Sequence, residues 1–277
     1  MKLRTLIALA MMAASIAMAA PHPPKSARLY VFDCGSLNIP DTSVYRLKKE
    51  DLTTNVMSIA CFLVVHPKGT MIWDTGAIPD SSFKPGAPGT LRYGTSTRTL
   101  TSQLAEVGYA PTDITYLALS HFHWDHVGNA NVFASATWLV RKSEQDIMFS
   151  DPPSPRTEPA NFSALKNSKT ILITKDDYDV FGDGTVVIKA APGHSPGHQV
   201  LYLKLAKTGP VVLSGDLYHY PEERKLKLIP TTEFNPEQTV ASRAAVESFL
   251  KQTGAQLWIQ HDFVANAKLK KAPEFYE

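Results

Sequence analysis

The sequence predicts an α+β fold of two packed β-sheets with helices on the outside. Three observations point there. Short apolar runs of strand length recur along the whole chain. Two of them, 57–65 and 70–73, flank the turn Pro67-Lys68-Gly69 as the arms of a hairpin. Segments with helical spacing stand between the strand blocks, and 44% apolar residues are enough to build a sizeable core.

The elements follow in order. Leu29-Tyr30-Val31-Phe32 starts the first strand, and 36–55 shows no clear period, so it reads as a long loop or a short helix. After the hairpin, Leu100, Leu104 and Val107 recur at helical spacing until Gly108 stops them. Residues 115–119 and 137–140 are short buried strands, and Ser143-Glu144-Gln145-Asp146 begins a helix. Four prolines in 151–161 make that stretch irregular. Strands are then expected at 171–174, 185–189, 199–205 and 211–213. The best-marked helix begins at Asn235, a capping residue followed by Pro236 at the first helical position and Gln238 to complete a capping box. Val240, Ala244, Phe249 and Leu250 give it an apolar face and Gly254 ends it; 257–259 is the last core strand.

The N-terminus reads as a secretory signal over 1–20: Met1-Lys2-Leu3-Arg4, an apolar run over 6–17, and the small-residue site Ala17-Met18-Ala19-Ala20. A proline-rich leader, 21–28, and a single domain, 29–277, are expected after it. The apolar run is too short to span a bilayer and no second one follows, which excludes an integral membrane protein; with no Cys near the cleavage point, a lipoprotein is excluded too. Of the 28 Lys and Arg, Lys2 and Arg4 fall in the signal, and the remainder balances the 26 Asp and Glu. A nucleic-acid binder would show a basic excess. Cys34 and Cys61 lie in strand-like runs without C-x-x-C spacing; they read as two buried thiols, with a disulfide as the alternative in an oxidising compartment. The expected location is periplasmic or secreted.

The chemistry is concentrated in Ser120-His121-Phe122-His123-Trp124-Asp125-His126-Val127-Gly128-Asn129, directly after a buried strand. Three imidazoles and a carboxylate within six residues are ligands for zinc and similar metals. Their spacing separates them into His121 with His123 and Asp125 with His126. Later strand ends offer more: His194 and His198 in Gly193-His194-Ser195-Pro196-Gly197-His198, Asp216 in Ser214-Gly215-Asp216, and His261 in Gln260-His261-Asp262. His198 reads as a hydrogen-bonding neighbour of His194 rather than a ligand. Asp74 reads as a turn residue or a partner to a ligand. His22 and His66 stand alone and read as ordinary loop residues.

The pattern resembles the metallo-β-lactamase superfamily, through H-x-H-x-D-H at 121–126 followed by His194, Asp216 and His261 in order. The resemblance implies an αββα sandwich with a dinuclear site at one edge. His121, His123 and His194 would bind one metal, Asp125, His126 and His261 the other, and Asp216 would bridge them. Two divalent ions are implied, zinc by default, with iron, cobalt or manganese compatible with the same ligands. The β-lactamases of the superfamily lack a bridging carboxylate at this position, whereas thioesterases and phosphodiesterases retain it. The wider pattern resembles the N-acyl homoserine lactone lactonases, through 29–32, 120–129, Gly215-Asp216-Leu217-Tyr218-His219-Tyr220 and 260–262. Those enzymes carry Tyr three residues after the bridging Asp; here that position is His219, between Tyr218 and Tyr220.

The reading that follows is a metal-dependent hydrolase opening the ring of N-acyl homoserine lactones, by attack of a metal-bridging hydroxide. His219 or Tyr218 is the expected donor to the carbonyl oxygen, and Asp125 the group that passes a proton to the leaving oxygen. The alternatives of the same fold act on another lactone, a thioester or a phosphodiester. A binding protein without activity is disfavoured, because all seven ligand positions are intact. Phe122, Trp124, Phe149 and Tyr220 are the expected substrate contacts, although Met148 and Phe149 serve equally well as core. The segment 36–55 has two open roles, covering the pocket or joining two copies in a homodimer.

Overall fold

The computed structural model describes residues 23–277, so the signal-like segment and His22 lie outside the described residues. The first sheet contains β1 (Arg28–Asn38), β2 (Val56–His66), β3 (Gly69–Trp73), β4 (Gly89–Leu91), β5 (Gly94–Ser96), β6 (Tyr116–Ala118), β7 (Thr137–Val140) and β8 (Thr170–Leu172). Their order is β4-β5-β1-β2-β3-β6-β7-β8. The second contains β9 (Asp177–Asp179), β10 (Val186–Ala190), β11 (Gln199–Leu205), β12 (Gly209–Leu213) and β13 (Gln256–Trp258), in the order β13-β12-β11-β10-β9. The helices are α1 (Leu100–Glu106), α2 (Lys142–Met148), α3 (Pro221–Leu226), α4 (Pro236–Thr253) and α5 (Phe263–Asn266).

Side chains alternate between the two faces of a strand, and here both faces are buried. Leu29 and Val31 of β1 and Phe62 and Val64 of β2 meet Ile188, Leu201, Leu203 and Val211 of the second sheet. Tyr30, Phe32, Cys61 and Leu63 point the other way, into a layer with Leu100 and Leu104 of α1 and Trp138. The outer face of the second sheet, Val200 and Val212, is covered by Val246 and Leu250 of α4. This is the helix–sheet–sheet–helix sandwich, and it explains why β2 reads as one continuous apolar run rather than an alternating one.

Several expectations change. β1 runs on to Asn38 and pairs with β5, so the start of the 36–55 segment is strand. β4, β5 and β9 carry few apolar residues and gave no periodic signal. In α4, Asn235 Oδ1 accepts from Gln238 N at 3.0 Å and Gly254 closes the helix at φ 68°, as expected, but Gln238 does not complete a capping box, because Asn235 N donates to Gly193 O at 2.8 Å instead. Val240, however, is 54% exposed, because the buried stripe instead carries Thr239, Ser242 and Arg243, which serve the site below. Cys34 and Cys61 are not free thiols. They sit on the same face of the paired strands β1 and β2 with Cα atoms 6.0 Å apart, and they form a disulfide. His66 is not in a loop: it ends β2, buried, stacked on Phe181 at 4.1 Å and 2.9 Å from Asp183.

Candidate metal centre

The strand ends that carry the ligands converge on one edge of the sandwich. β6 leads into Ser120 and the first motif, β10 into the His194 loop, β12 into Asp216, and β13 into His261. Backbone bonds tie these loops together: Thr75 N to His126 O at 2.8 Å, Gln199 N to Ser120 O at 3.0 Å, Ser214 N to Trp258 O at 3.0 Å. Gly128 is required by packing. A Cβ there would lie 2.6 Å from Gly76 O, and its own N–H donates to that oxygen.

Two groups of donor atoms result, His121, His123, His194 and Asp216 in one, and Asp125, His126, Asp216 and His261 in the other. Within each, the atoms lie within 4.8 Å of one another, and every residue is buried. In the first, His123 Nδ1 is 2.8 Å from His121 Nε2 and 2.9 Å from His194 Nε2. Asp216 divides its two oxygens between the groups. Oδ2 faces His194 Nε2 at 3.3 Å and His121 Nε2 at 3.6 Å, while Oδ1 faces His126 Nε2 and His261 Nε2, each at 3.0 Å. Asp125 Oδ2 completes the second group, 3.6 Å from His261 Nε2 and 3.8 Å from His126 Nε2.

The far nitrogens of the rings show that this donor set suits metal ions. His121 Nδ1 meets Ser120 Oγ at 3.0 Å, His126 Nδ1 meets Asp74 Oδ2 at 2.9 Å, His194 Nδ1 meets Glu233 Oε1 at 3.0 Å, and His261 Nδ1 donates to Ser58 O at 2.8 Å. Partners of this kind keep the proton on Nδ1 and leave the Nε2 lone pair facing inward. His126 Nε2, His261 Nε2 and Asp216 Oδ1 are buried without a hydrogen bond. Such orphaned atoms are costly unless a cation satisfies them. Burial and neighbouring imidazoles hold His121 and His123 well below the usual histidine range. Burial opposes the charge of Asp216, but His126, His261 and His121 outweigh it and hold that carboxyl well below its usual range. Neutral imidazoles and an ionised carboxylate are the forms that bind metals; at His126 and His194 burial opposes the charge, but Asp216 and Asp74 push the first well above the usual histidine range and Glu233 pushes the second above it, so a metal displaces a proton at each. The two groups therefore fit two divalent ions.

Buried carboxylates brace the ligands from outside. Asp74 accepts from Ser120 N at 2.6 Å, Gln260 Nε2 at 2.7 Å and His126. It is the hydrogen-bond partner the sequence allowed for. Glu144 accepts from Phe122 N and Gly197 N, each at 2.7 Å, and from Ser195 Oγ, joining the first motif to the His194 loop. His198 bonds Ala191 O through Nδ1 and accepts the Asp216 N–H at Nε2, 2.9 Å. Sequence reasoning missed Glu144 and Glu233, which lie in a helix start and a loop with no motif around them.

A cleft of about 270 Å³ opens above the ligands. Leu37, Ile39, Val44 and Met57 form an apolar wall, and Tyr45, Tyr93, Trp124, Arg92 and Arg156 form the rest of the rim. Tyr45, from the 36–55 segment, is a residue the sequence did not single out. Its ring packs on His219 at 4.7 Å, and burial together with Asp216 and Asp125 keeps its phenol well above the ordinary value, so it stays protonated. The segment thus takes part in the cleft wall. His219 is in the cleft as expected. Nδ1 is 3.2 Å from Glu223 Oε1 and Nε2 is 3.3 Å from Asp216 Oδ2; Arg243 Nη2 holds Glu223 from behind at 2.7 Å. Burial opposes its charge, yet Glu223 and Asp216 push its pKa up to about 10.

Four expectations about side chains are corrected. Tyr218 turns away from the cleft: its hydroxyl donates to Glu247 at 3.1 Å and its ring lies under Arg243, in the layer beneath α4. Tyr220 is buried, with its hydroxyl on Asn55 O at 3.0 Å and its ring edge-on to Tyr45. Phe122 is 3% exposed and belongs to the core. Phe149 packs edge-on against Trp138 and Phe162, because its helix turns that face inward. Of the four expected substrate contacts, Trp124 alone lines the cleft.

Two sheets bearing a split-carboxylate, two-group ligand site at one edge define a dinuclear metallohydrolase architecture. Residues 54–257 match the metallo-beta-lactamase superfamily, and the chain belongs to it. It is 27% identical over 270 residues to the N-acyl homoserine lactonase AttM of Azorhizobium caulinodans, covering 90% of this chain and 98% of that one. It is 26% identical over 256 residues to an N-acyl homoserine lactonase of Bacillus thuringiensis, with the same coverage. Among solved structures, a quorum-quenching N-acyl homoserine lactone lactonase superposes with a TM-score of 0.74 at 25% identity, over 90% of this chain and 97% of that one.

Proposed function

We propose that this protein hydrolyses the lactone ring of N-acyl homoserine lactones at a centre of two divalent metal ions, zinc by its imidazole and carboxylate ligands. The observation that carries the reading is Asp216, whose two oxygens serve two complete ligand groups at the floor of a cleft with an apolar wall. The lactonase relatives, alike over nine-tenths of the chain, support the substrate class. When bound, such ions make water nucleophilic near neutral pH and polarise a carbonyl.

The residues of the chain do the rest. Leu37, Ile39, Val44 and Met57 offer the acyl chain an apolar surface. Tyr45 and His219, whose rings pack together at 4.7 Å in the cleft wall, are the donors to the carbonyl oxygen as it gains charge, and a donor there favours the transition state. Glu223 and Arg243 fix the His219 ring in that direction. Asp125, at the cleft edge of the second group, takes a proton and returns it to the ring oxygen as the ester bond breaks. The sequence signal at 1–20 and the Cys34–Cys61 disulfide support export to an oxidising compartment, the periplasm or the medium.

The test is acid release in weak buffer by the metal-loaded protein. The substrates are a short-chain and a long-chain N-acyl homoserine lactone, with an alkyl γ-lactone and a thioester as controls. Rapid release from the acylated lactones that stops on chelation is expected. Turnover of the thioester with none of the lactones would overturn the substrate class and leave the dinuclear hydrolase standing.

A further inference from the structure

Arg156 brings an unbalanced positive charge to the cleft. Its main-chain oxygen accepts from Trp124 N at 3.2 Å, which pins the proline-rich loop across the first motif. The carboxylate beside it in that loop, Glu158, is taken by Arg92, whose guanidinium also lies over the Trp124 ring at 5.2 Å. Arg156 forms no ion pair among the described residues. Its Nη1 lies 3.5 Å from His123 Nε2, the nitrogen opposite the one that faces the first ligand group. A cation held against a ligand ring on the outer side of a metal group is repelled by that group. With His123 Nδ1 turned to the ligand group, its proton is on Nε2, so Arg156 Nη1 and this N–H are two donors side by side, and the arrangement becomes favourable once an acceptor oxygen in the cleft is shared by both.

An N-acyl homoserine lactone has two carbonyls separated by a short, rigid spacing, the ring ester and the amide that joins the acyl chain. With the ester over the two ligand groups, the amide oxygen is the acceptor next in reach. The chain beyond it would lie in the cleft that Trp124 and the apolar wall line. We propose that Arg156 is a specificity-determining residue that donates to the acylamino carbonyl and so favours amide-bearing lactones over plain alkyl lactones. This rests on the lactonase reading above and deepens it.

The experiment compares wild type with Arg156→Gln on N-hexanoyl homoserine lactone and on an alkyl γ-lactone of matched chain length. Metal content is measured in both proteins. Loss of a charged donor to a neutral acceptor lowers kcat/KM by about 10- to 100-fold. That loss is expected on the acylamino lactone, at least tenfold greater than the loss on the plain lactone, with two metals retained. Equal losses on both lactones, or no loss on either, overturn the inference while the lactonase reading survives. A wild-type protein that opens neither lactone overturns the lactonase reading and this inference with it.

Discussion

Replacing Asp74 with Asn tests whether the second ligand group depends on a residue outside it. Asp74 is fully buried, and its two oxygens satisfy three donors: Ser120 N, Gln260 Nε2 and His126 Nδ1. Its φ of 57° suits Asn, so the backbone has no reason to move. An amide offers one acceptor oxygen where the carboxylate offers two. With that oxygen on Ser120 N, the NH₂ faces His126 Nδ1, and the imidazole must shift its proton to Nε2, which removes the lone pair aimed at the second group. Ser120 Oγ, 3.2 Å from His126 Nδ1, is already engaged by His121 Nδ1 at 3.0 Å. With the amide turned the other way, the Ser120 N–H is left buried and unpaired, at a cost of about 1–3 kcal/mol. Loss of such an outer partner weakens metal binding by about 10- to 100-fold. The assay is metal content after gel filtration, followed by chelator competition to resolve the two dissociation constants. The weaker constant should rise by that factor, while the His121–His123–His194 group keeps its metal. Two constants within threefold of wild type would refute the claim that Asp74 sets the His126 tautomer.

The other predictions are direct. Asp216→Asn leaves one acceptor oxygen where two are divided between the groups, so one group loses its ligand and metal content should fall below two per chain while the circular dichroism spectrum is unchanged; full metal and full activity would sink the bridging assignment. His219→Phe should lower turnover by about 10²–10⁴-fold, as for loss of an acid–base group, with metal content unchanged; unaltered turnover would move the role to Tyr45. Burial raises Glu144 to about 7, against its ordinary 4.5, despite its bonds to Ser195, Gly197 and Phe122. The folded state therefore holds this proton more tightly than the unfolded chain, and stability falls as pH rises through about 4.5 to 7. Thermal melts at pH 5 and pH 8 should show wild type losing ground to Glu144→Gln at the higher pH, and a pH-independent difference would count against it. Chelation should lower the melting temperature, since a ligand at a thousand times its Kd stabilises by about 4 kcal/mol; an unchanged melt would mean that the two groups hold no ion.

The metal ligands were legible because the chemistry is written locally. Imidazoles and carboxylates packed into His121–His126, and single ligand types placed directly after short apolar strands, have few other uses. The strands that carry them were legible for the same reason, since an apolar run bounded by Gly and Pro is a local signal. Glu144 and Glu233 carried no such signal. A glutamate at a helix start or in a loop looks like any other until folding places it beside Gly197 N or His194 Nδ1, 53 and 39 residues away in the chain. The aromatic residues divided in the same way. Nothing in sequence order separates Tyr218 from His219, but Tyr218 has an extended backbone after the turn 215–217, and successive side chains of an extended backbone point to opposite sides, so one faces the cleft and the other lies under α4. Composition, strand pattern and ligand set were thus fixed by residue type at short range. The cleft wall of Tyr45, Trp124 and Arg156, the Cys34–Cys61 pairing and the carboxylates behind the histidines were decided by tertiary structure, because each depends on segments brought together by sheet pairing that no local pattern encodes.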